Sequence, residues 1–252
     1  MIYDVAIIGA GVVGSMLARE LSRYTLSVCL LEKENDVAIG ASRANSCIIH
    51  GGYDPEPGTL KARLNAEGVP LLYEAARALN VPHRNNGSFV CAFGTPEEEA
   101  IIDALYARSH VNGIPCVRVV SGEEARRMEP GLSRQVSRAL YVPNSGIICP
   151  YELTIAAAGN AVDNGVELKR NFAVAAIERS EDFTLVSVSG ERVRCHYLVN
   201  CAGGYSGAVA AMTGDGFFDI IPRAGEYLLL VILSPVGSYY AGGLAPVRIY
   251  VE

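Results

Sequence analysis

Three glycines spaced as Gly9-x-Gly11-x-x-Gly14, followed by an acid at Glu32, could do chemistry by type and spacing alone. A main chain without Cβ atoms there can turn sharply, admit an anion and let a helix crowd a strand. The chemistry would be capture of a dinucleotide. Gly9 makes the turn, Gly11 lets a pyrophosphate approach the backbone, and Gly14 brings the helix close to the strand. The helix beginning near Val12 would aim its free N–H groups and positive dipole end at the phosphates. Glu32, 18 residues beyond Gly14, can accept hydrogen bonds from ribose hydroxyls, and its charge would repel a 2′-phosphate. FAD or NAD is therefore expected rather than NADP.

The surrounding elements decide whether those glycines count. A lone GxGxxG says little; here an apolar strand over 5–8 precedes it, an amphipathic helix follows, and a second apolar strand ends in Glu32. A strand–turn–helix that merely needs glycines is the competing reading. Beyond Glu32 a loop of small and polar residues, 40–52, could lie against a planar ligand. Thr59 then caps a helix over 59–79 whose apolar side is expected to carry Leu60, Leu64, Val69, Leu71, Leu72 and Ala75. A strand is expected over 88–93. Thr95-Pro96-Glu97-Glu98 opens a helix that ends near Asn112-Gly113, and Ser121-x-x-Glu124 is a capping box. Strands over 117–120, 139–142 and 147–148 and a helix from Pro150 to 163 come next. The strand 166–169, a meander over 173–188 and a returning strand over 192–201 lead into a helix through Met212. The stretch 220–233 reads as a further strand. Pieces 1–52 and 150–215 thus look like one split nucleotide domain, with 53–149 and 216–252 forming a second, substrate domain.

Composition narrows the class. The 252 residues suit one large domain or two smaller ones, and half of them are hydrophobic. A net charge of −6 without a long basic run argues against nucleic acid as the main partner. No run of 18 apolar residues occurs and the first apolar stretch belongs to the fingerprint, so no signal peptide and a cytoplasmic location are expected. Seven cysteines occur without CxxC spacing, which excludes the usual zinc and iron–sulfur patterns and reads as reduced core thiols.

Four segments carry a family resemblance. They are the fingerprint 9–32; Ser42-Arg-Ala-Asn-Ser-Cys-Ile-Ile-His50-Gly-Gly-Tyr53; Pro57-Gly-Thr-Leu-Lys-Ala-Arg63; and Leu198-Val-Asn-Cys-Ala-Gly203 with Pro222-Arg-Ala-Gly-Glu-Tyr227. Over residues 1–232 the chain resembles the FAD-dependent oxidoreductases of the D-amino-acid-oxidase / glycerol-3-phosphate-dehydrogenase type. It is nearest to the L-2-hydroxyglutarate oxidase and anaerobic glycerol-3-phosphate dehydrogenase branch. The resemblance implies an α/β fold: a Rossmann-like FAD domain of the glutathione-reductase type with an inserted α+β substrate domain. It implies that Gly9, Gly11 and Gly14 cradle the FAD pyrophosphate, with Glu32 and Lys33 at the adenosine end. Ser42, Arg43, Asn45 and Ser46 would line the pyrophosphate, ribityl and ring region. Val174 would offer main-chain bonds to adenine, Ala202 and Gly203 would pass close to the cofactor, and His50 would sit near the flavin ring.

His50 is read as the proton acceptor for a substrate hydroxyl, because imidazole serves both protonation states near neutral pH. A flavin-contacting role and simple loop packing are the alternatives. Arg223 could hold a carboxylate or phosphate with two parallel hydrogen bonds, or form a surface salt bridge. Lys61 and Arg63 are expected on a solvated helix face, and Tyr53 and Tyr227 in the core or lining the same pocket. The expected activity is hydride transfer to flavin from a small anionic hydroxy compound such as glycerol 3-phosphate or L-2-hydroxyglutarate. The alternatives are an amine or amino-acid oxidase of the same family, a non-catalytic FAD-binding remnant, and, more distantly, an NAD-dependent dehydrogenase. Residues 234–252 match nothing expected of the family, whose members continue well beyond the strand near 227–230. The substrate domain is therefore expected to be incomplete, as a shortened gene or shifted reading frame would leave it. An uncovered sheet edge could be met by pairing into a homodimer. A peripheral membrane or electron-acceptor partner is compatible with the resemblance.

Overall fold

Strand β1 (Ile2–Ile8) is apolar at nearly every position because both of its faces are covered, as parallel strands require. The computed structural model describes residues 1–222. The remaining strands are β2 (Val28–Leu31), β3 (Ile48–Ile49), β4 (His83–Arg84), β5 (Ser88–Ala92), β6 (Arg118–Ser121), β7 (Arg138–Val142), β8 (Gly146–Ile148), β9 (Glu167–Lys169), β10 (Val174–Arg179), β11 (Phe183–Ser187) and β12 (Arg192–Asn200). The helices are α1 (Val12–Leu21), α2 (Leu60–Ala78), α3 (Pro96–Val111), α4 (Gly122–Met128), α5 (Pro150–Asp163) and α6 (Ser206–Ala211).

A six-stranded sheet runs in the order β10-β11-β12-β1-β2-β9. Its β12, β1, β2 and β9 are parallel, while β10 and β11 return antiparallel. Register is pinned by burial on both faces: Val5, Ala6, Ile7 and Ile8 stand opposite Val28, Cys29, Leu30 and Leu31. A one-residue slip would exchange the two faces. Val5, Ile7, Val28 and Leu30 meet Ala18 of α1 and Ala158 and Ala161 of α5. On the opposite face Tyr3, Ala6, Cys29 and Leu31 meet Phe172, Ile177, Leu185 and Val193. Each fully buried Ile or Leu contributes roughly 1.5–3 kcal/mol. The Asp4 carboxylate accepts the Ser27 N–H and hydroxyl, each at 2.7 Å, fastening the start of β1 to the approach to β2.

Two three-stranded sheets, β3-β8-β4 and β5-β7-β6, are built from residues 48–148. The first packs through Ile49 and Ile148 onto Val69, Tyr73 and Ala76 of α2 and Leu153 of α5, and reaches Val12 and Met16 of α1. It therefore lies beside the start of the helix that the glycines lead into. The second packs on Ile102 of α3, with Ile114 and Val117. The capping box of α3 forms: Thr95 accepts from the Glu98 N–H, and Glu98 accepts from the Thr95 N–H, both at 3.3 Å.

Several expectations need correction. The strands β3 and β4 are too short to show a period in sequence. The buried face of α2 is Ala62, Val69, Tyr73, Ala75 and Ala76; of the residues expected there Val69 and Ala75 are buried and Leu72 half-buried, whereas Leu60, Leu64 and Leu71 are exposed. A window of apolar residues wider than one face misled the periodicity reading. Of the seven cysteines all are free, but only Cys29 and Cys195 are buried, and Cys116 is exposed. Residues 220–222 are described without regular structure, and the rest of the strand expected over 220–233 lies outside the described residues. Among the described residues no helix is long and apolar enough to cross a membrane.

Candidate functional site

The carboxyl ends of β1, β2 and β12 converge on the glycine turn. Gly9 has φ +101°, and a Cβ there would lie 2.5 Å from the Cys201 carbonyl oxygen. A Cβ on Gly14 would overlap the Gly9 carbonyl oxygen. At these two positions a side chain is barred by backbone, which cannot swing aside. At Gly11 the nearest neighbour is the Ser42 hydroxyl, 3.2 Å from a built Cβ. Among the described residues a Cβ at Gly11 would meet nothing else within 4 Å. Ser42 Oγ accepts the Val12 N–H at 2.9 Å. The N–H groups of Val13 and Gly14 have no partner among the described residues, as the first turn of a helix requires. No acid sits in that first turn. Free donors, a positive dipole end and a cradle that Cβ atoms would fill are the parts of an anion site. The residues present therefore fit a pyrophosphate.

Glu32 is buried, and its carboxylate is already engaged. It accepts the Ala10 N–H at 2.8 Å and the Glu34 N–H at 3.0 Å. The acid therefore shapes the glycine turn and still has lone pairs for a ribose. Its main chain is knitted to the next element: Glu32 N–H donates to Lys169 O and Phe172 N–H to Glu32 O, each at 2.8 Å. That places Val174, at the start of β10, near the same end of the sheet. Lys33 bonds Glu34 at 3.1 Å and lies 4.3 Å from the centre of the Tyr205 ring. The Glu34 carboxylate, followed by Tyr205, holds the Lys33 ammonium above its ordinary pKa. Tyr205 drew no attention in sequence; only the fold brings it to Lys33.

Ala202 and Gly203 form the turn after β12. The Ala202 N–H donates to Asn200 Oδ1 at 3.2 Å, and Gly203 adopts φ +57°. Because the Cys201 N–H donates to Ile8 O at 2.9 Å, this turn crosses directly beside Gly9. Burial raises the Cys201 thiol pKa, so it stays a neutral packing group. Gly9, Gly11, Gly14, Glu32, Ser42, Ala202 and Gly203 are thereby gathered at one end of one sheet.

The rest of the Ser42 loop is arranged differently. Asn45 bonds its own loop, donating to Ala41 O and Ser42 O at 3.1 Å and accepting the Cys47 N–H at 2.9 Å. Arg43 is exposed and Ser46 half-buried. His50 is exposed, and its imidazole has no hydrogen-bond partner among the described residues. Its neighbour Ile49 is buried against Val69 and Ile148 in the cluster that reaches Val12 of α1. The imidazole is consequently presented to solvent just after β3, whose Ile49 shares an apolar cluster with the first turns of α1. Tyr53 packs with Ile102, Ile114 and Val142, and Lys61 and Arg63 are exposed. Arg223 and Tyr227 lie outside the described residues. Among the described residues no group of three or more His, Cys, Asp or Glu could hold a metal ion.

Fold and cradle together define a dinucleotide-binding α/β protein with its ligand crevice beyond the carboxyl ends of the parallel strands. The family profile DAO, FAD dependent oxidoreductase, matches residues 4–248, and the chain belongs to that family. It is 44% identical over 228 residues to a glycerol 3-phosphate dehydrogenase of Caloramator mitchellensis, covering 90% of this chain and 47% of that protein. It is 31% identical over 243 residues to the mitochondrial L-2-hydroxyglutarate dehydrogenase of Homo sapiens, covering 90% and 52%. The chain thus spans about half the length of the curated relatives it matches. Among solved structures, the FAD-bound L-alpha-glycerophosphate oxidase of Mycoplasma pneumoniae superposes with a TM-score of 0.79 at 28% identity, covering 84% of this chain and 57% of that one. Glycine oxidase of Geobacillus kaustophilus superposes with a TM-score of 0.75 at 26% identity, covering 84% and 58%.

Proposed function

We propose that this chain forms the FAD-binding and proton-accepting part of an oxidoreductase acting on a small anionic hydroxy compound, glycerol 3-phosphate or L-2-hydroxyglutarate. The observation that carries the reading is the exposed His50 imidazole, without a hydrogen-bond partner among the described residues, directly after the strand whose Ile49 belongs to the apolar cluster that reaches Val12 and Met16 of α1. The likeness to a glycerol 3-phosphate dehydrogenase supports the choice of substrate class.

FAD, when bound, supplies the acceptor for a hydride from the carbon bearing the hydroxyl. The free N–H groups of Val13 and Gly14 and the bare main chain of Gly9 and Gly11 hold the pyrophosphate. Glu32 bonds the ribose while keeping Ala10 in place, with Lys33 at the adenosine end. Val174 meets adenine through its main chain, and Ala202 and Gly203 leave room beside the cofactor. Ser42, Arg43, Asn45 and Ser46 line the path toward the ring. A nitrogen of the His50 imidazole takes the proton of the substrate hydroxyl as the carbon loses hydride. Arg223 grips the carboxylate or phosphate through parallel hydrogen bonds. Residues 1–52 and 150–215 serve as the cofactor domain, and 53–149 with 216–252 as the substrate side. We place the protein in the cytoplasm.

The test is spectroscopic. The purified protein supplemented with FAD is expected to show a flavin spectrum that bleaches anaerobically with glycerol 3-phosphate or L-2-hydroxyglutarate. A colourless protein that takes up no FAD would overturn the reading. A second reading, oxidation of an amine or amino acid, is favoured by the superposition on glycine oxidase; bleaching by glycine and by neither hydroxy compound would select it.

A further inference from the structure

The segment carrying His50 is fastened on both sides by residues distant in sequence. Upstream, Ile48 and Ile49 pair with Ile147 and Gly146, and the Ile148 N–H donates to Cys47 O at 2.9 Å. Downstream, four backbone carbonyls are each met by a side chain. Asn144 Nδ2 donates to Gly51 O at 3.0 Å. Asn112 Nδ2 donates to Gly52 O at 3.1 Å and to Pro55 O at 2.9 Å. Arg108 Nη1 donates to Asp54 O at 2.7 Å, and its Nη2 meets the Glu56 carboxylate at 3.0 Å. Arg108 lies in the last turn of α3 and Asn112 is its C-cap residue. One end of one helix therefore grips three of the four carbonyls.

Packing adds to the grip. A Cβ on Gly51 would overlap Val142 Cγ1 and lie 2.6 Å from Ser145 Oγ and 2.8 Å from Asn144 Oδ1. Gly52 has φ +84°, and a Cβ there would lie 2.6 Å from Ile114 Cδ1. Asn144 Oδ1 and Ser145 Oγ are buried with no partner among the described residues. A surface loop would ordinarily leave its carbonyls to water. Ordering long side chains onto them costs entropy, and buried acceptors without donors cost more. The result is a peptide with little freedom next to an imidazole that has no bond of its own among the described residues. Among those residues His50 is oriented through that peptide.

We propose that Asn112 and Asn144, supported by Arg108, are positioning residues for His50. They hold the chain on its carboxyl side so that the imidazole meets the substrate hydroxyl in one place. This rests on the reading of His50 as the proton acceptor. None of the three bonds the glycine cradle, so their loss acts on the rate of proton-coupled oxidation and leaves cofactor capture alone. Misplacement of a reacting group by about 1 Å can cost about a hundredfold in rate.

The experiment uses the full chain with Asn112→Ala, Asn144→Ala, His50→Asn and the two double variants with His50→Asn. Asn112→Asp and Asn144→Asp keep the side-chain shape, remove the donor, and stand in if an alanine variant fails to fold. FAD affinity is read by quenching of flavin fluorescence, and substrate oxidation by anaerobic flavin bleaching with glycerol 3-phosphate. Each single asparagine variant is expected to slow limiting bleaching by about 10- to 100-fold. The half-saturating substrate concentration and the FAD dissociation constant should stay within about twofold, and there should be no further slowing on the His50→Asn background. Additive slowing on that background, or a loss confined to FAD affinity, overturns the proposal. If the unaltered protein takes up no FAD or is not bleached, the functional reading fails and limited chymotryptic cleavage after Tyr53 decides whether the asparagines hold the segment. Cleavage there at least tenfold faster in the asparagine variants, with β1 and β2 uncut, supports the clamp; an unchanged rate overturns it.

Discussion

The glycine cradle and the His50 segment lie side by side and are held by opposite means. The cradle is shaped by main chain against main chain: Gly9 beneath Cys201, and Gly14 against the Gly9 carbonyl. Its glycines come from consecutive elements, β1, the turn and α1, with Glu32 just after the next strand; the turn at Cys201 and Ala202 is, among the described residues, its one part from far along the chain. The His50 segment is shaped by side chains reaching from α3 and from the β7–β8 turn, some 60 to 90 residues away in sequence. The first kind of site needs the absence of atoms, and the second needs particular atoms in particular places. Cradles of the first kind are therefore visible as glycine spacing, while clamps of the second kind are not.

The comparison can be broken most decisively at Gly14. Gly14→Val places a branched side chain on the Gly9 carbonyl oxygen, where only backbone movement can relieve the overlap. We expect loss of FAD uptake and a fall in stability of several kcal/mol, read by flavin fluorescence and urea unfolding. Retained FAD affinity would show that the cradle is not closed by main-chain contact.

His50→Asn separates the two regions next. The cradle is untouched, so FAD affinity should be retained. Anaerobic bleaching by glycerol 3-phosphate should slow by about 10²- to 10⁴-fold, the usual contribution of a general base. A variant that bleaches at the original rate would reduce His50 to a packing residue.

The sheet beneath the cradle has its own signature at high pH. Burial first, then the Glu167 charge, pushes the Cys29 thiol up to about 12. Burial pushes Cys195 up to about 11. Burial and a bond to Glu167 raise Tyr3 as well. In each case the folded state keeps its proton longer than the unfolded state. Their contribution to stability is therefore complete below the ordinary thiol value near 9 and is lost as pH rises toward 11–12. Each thiol adds a slope of up to about 1.4 kcal/mol per pH unit within that window. Urea midpoints at pH 8 and pH 10.5 should show the fall, and Cys29→Ala should flatten it. A midpoint that does not move would contradict the burial of these thiols.

The smallest effect tests the clamp from its far end. Thr95→Ala removes the capping box of α3, the helix that ends in Arg108 and Asn112. About 1 kcal/mol of stability should go, measured by thermal unfolding, with amide exchange rising in α3 before it rises in β1. An equal rise in both would mean that the two regions do not loosen independently.

The legibility of the molecule followed the same division. Gly9, Gly11, Gly14 and Glu32 could be read because each is required by local backbone geometry within about 25 residues of chain. Helix starts at Thr59, Thr95 and Ser121 could be read because a cap acts within one turn. The buried face of α2 could be read only in part: Val69 and Ala75 do face the core, while Leu60, Leu64 and Leu71 satisfy a helical period with no neighbour among the described residues to cover them. Asn112 read only as part of a helix stop, and nothing nearby in sequence hints that the amides of Asn112 and Asn144 reach Gly52 and Gly51. Tyr205 was equally silent until β12 placed it over Lys33.

By itself, then, the sequence pointed to a dinucleotide cradle and to the strands and helices around it, β3 and β4 excepted. Those follow from steric exclusion and hydrogen bonding between near neighbours, which spacing encodes. Tertiary structure alone decided that Glu32 also holds Ala10, that the turn at Ala202 lies beside Gly9, and that the carbonyls after His50 are bonded by Asn112, Asn144 and Arg108. Those depend on which distant side chains the packing of three sheets brings within 3 Å, and short-range pattern carries no record of that.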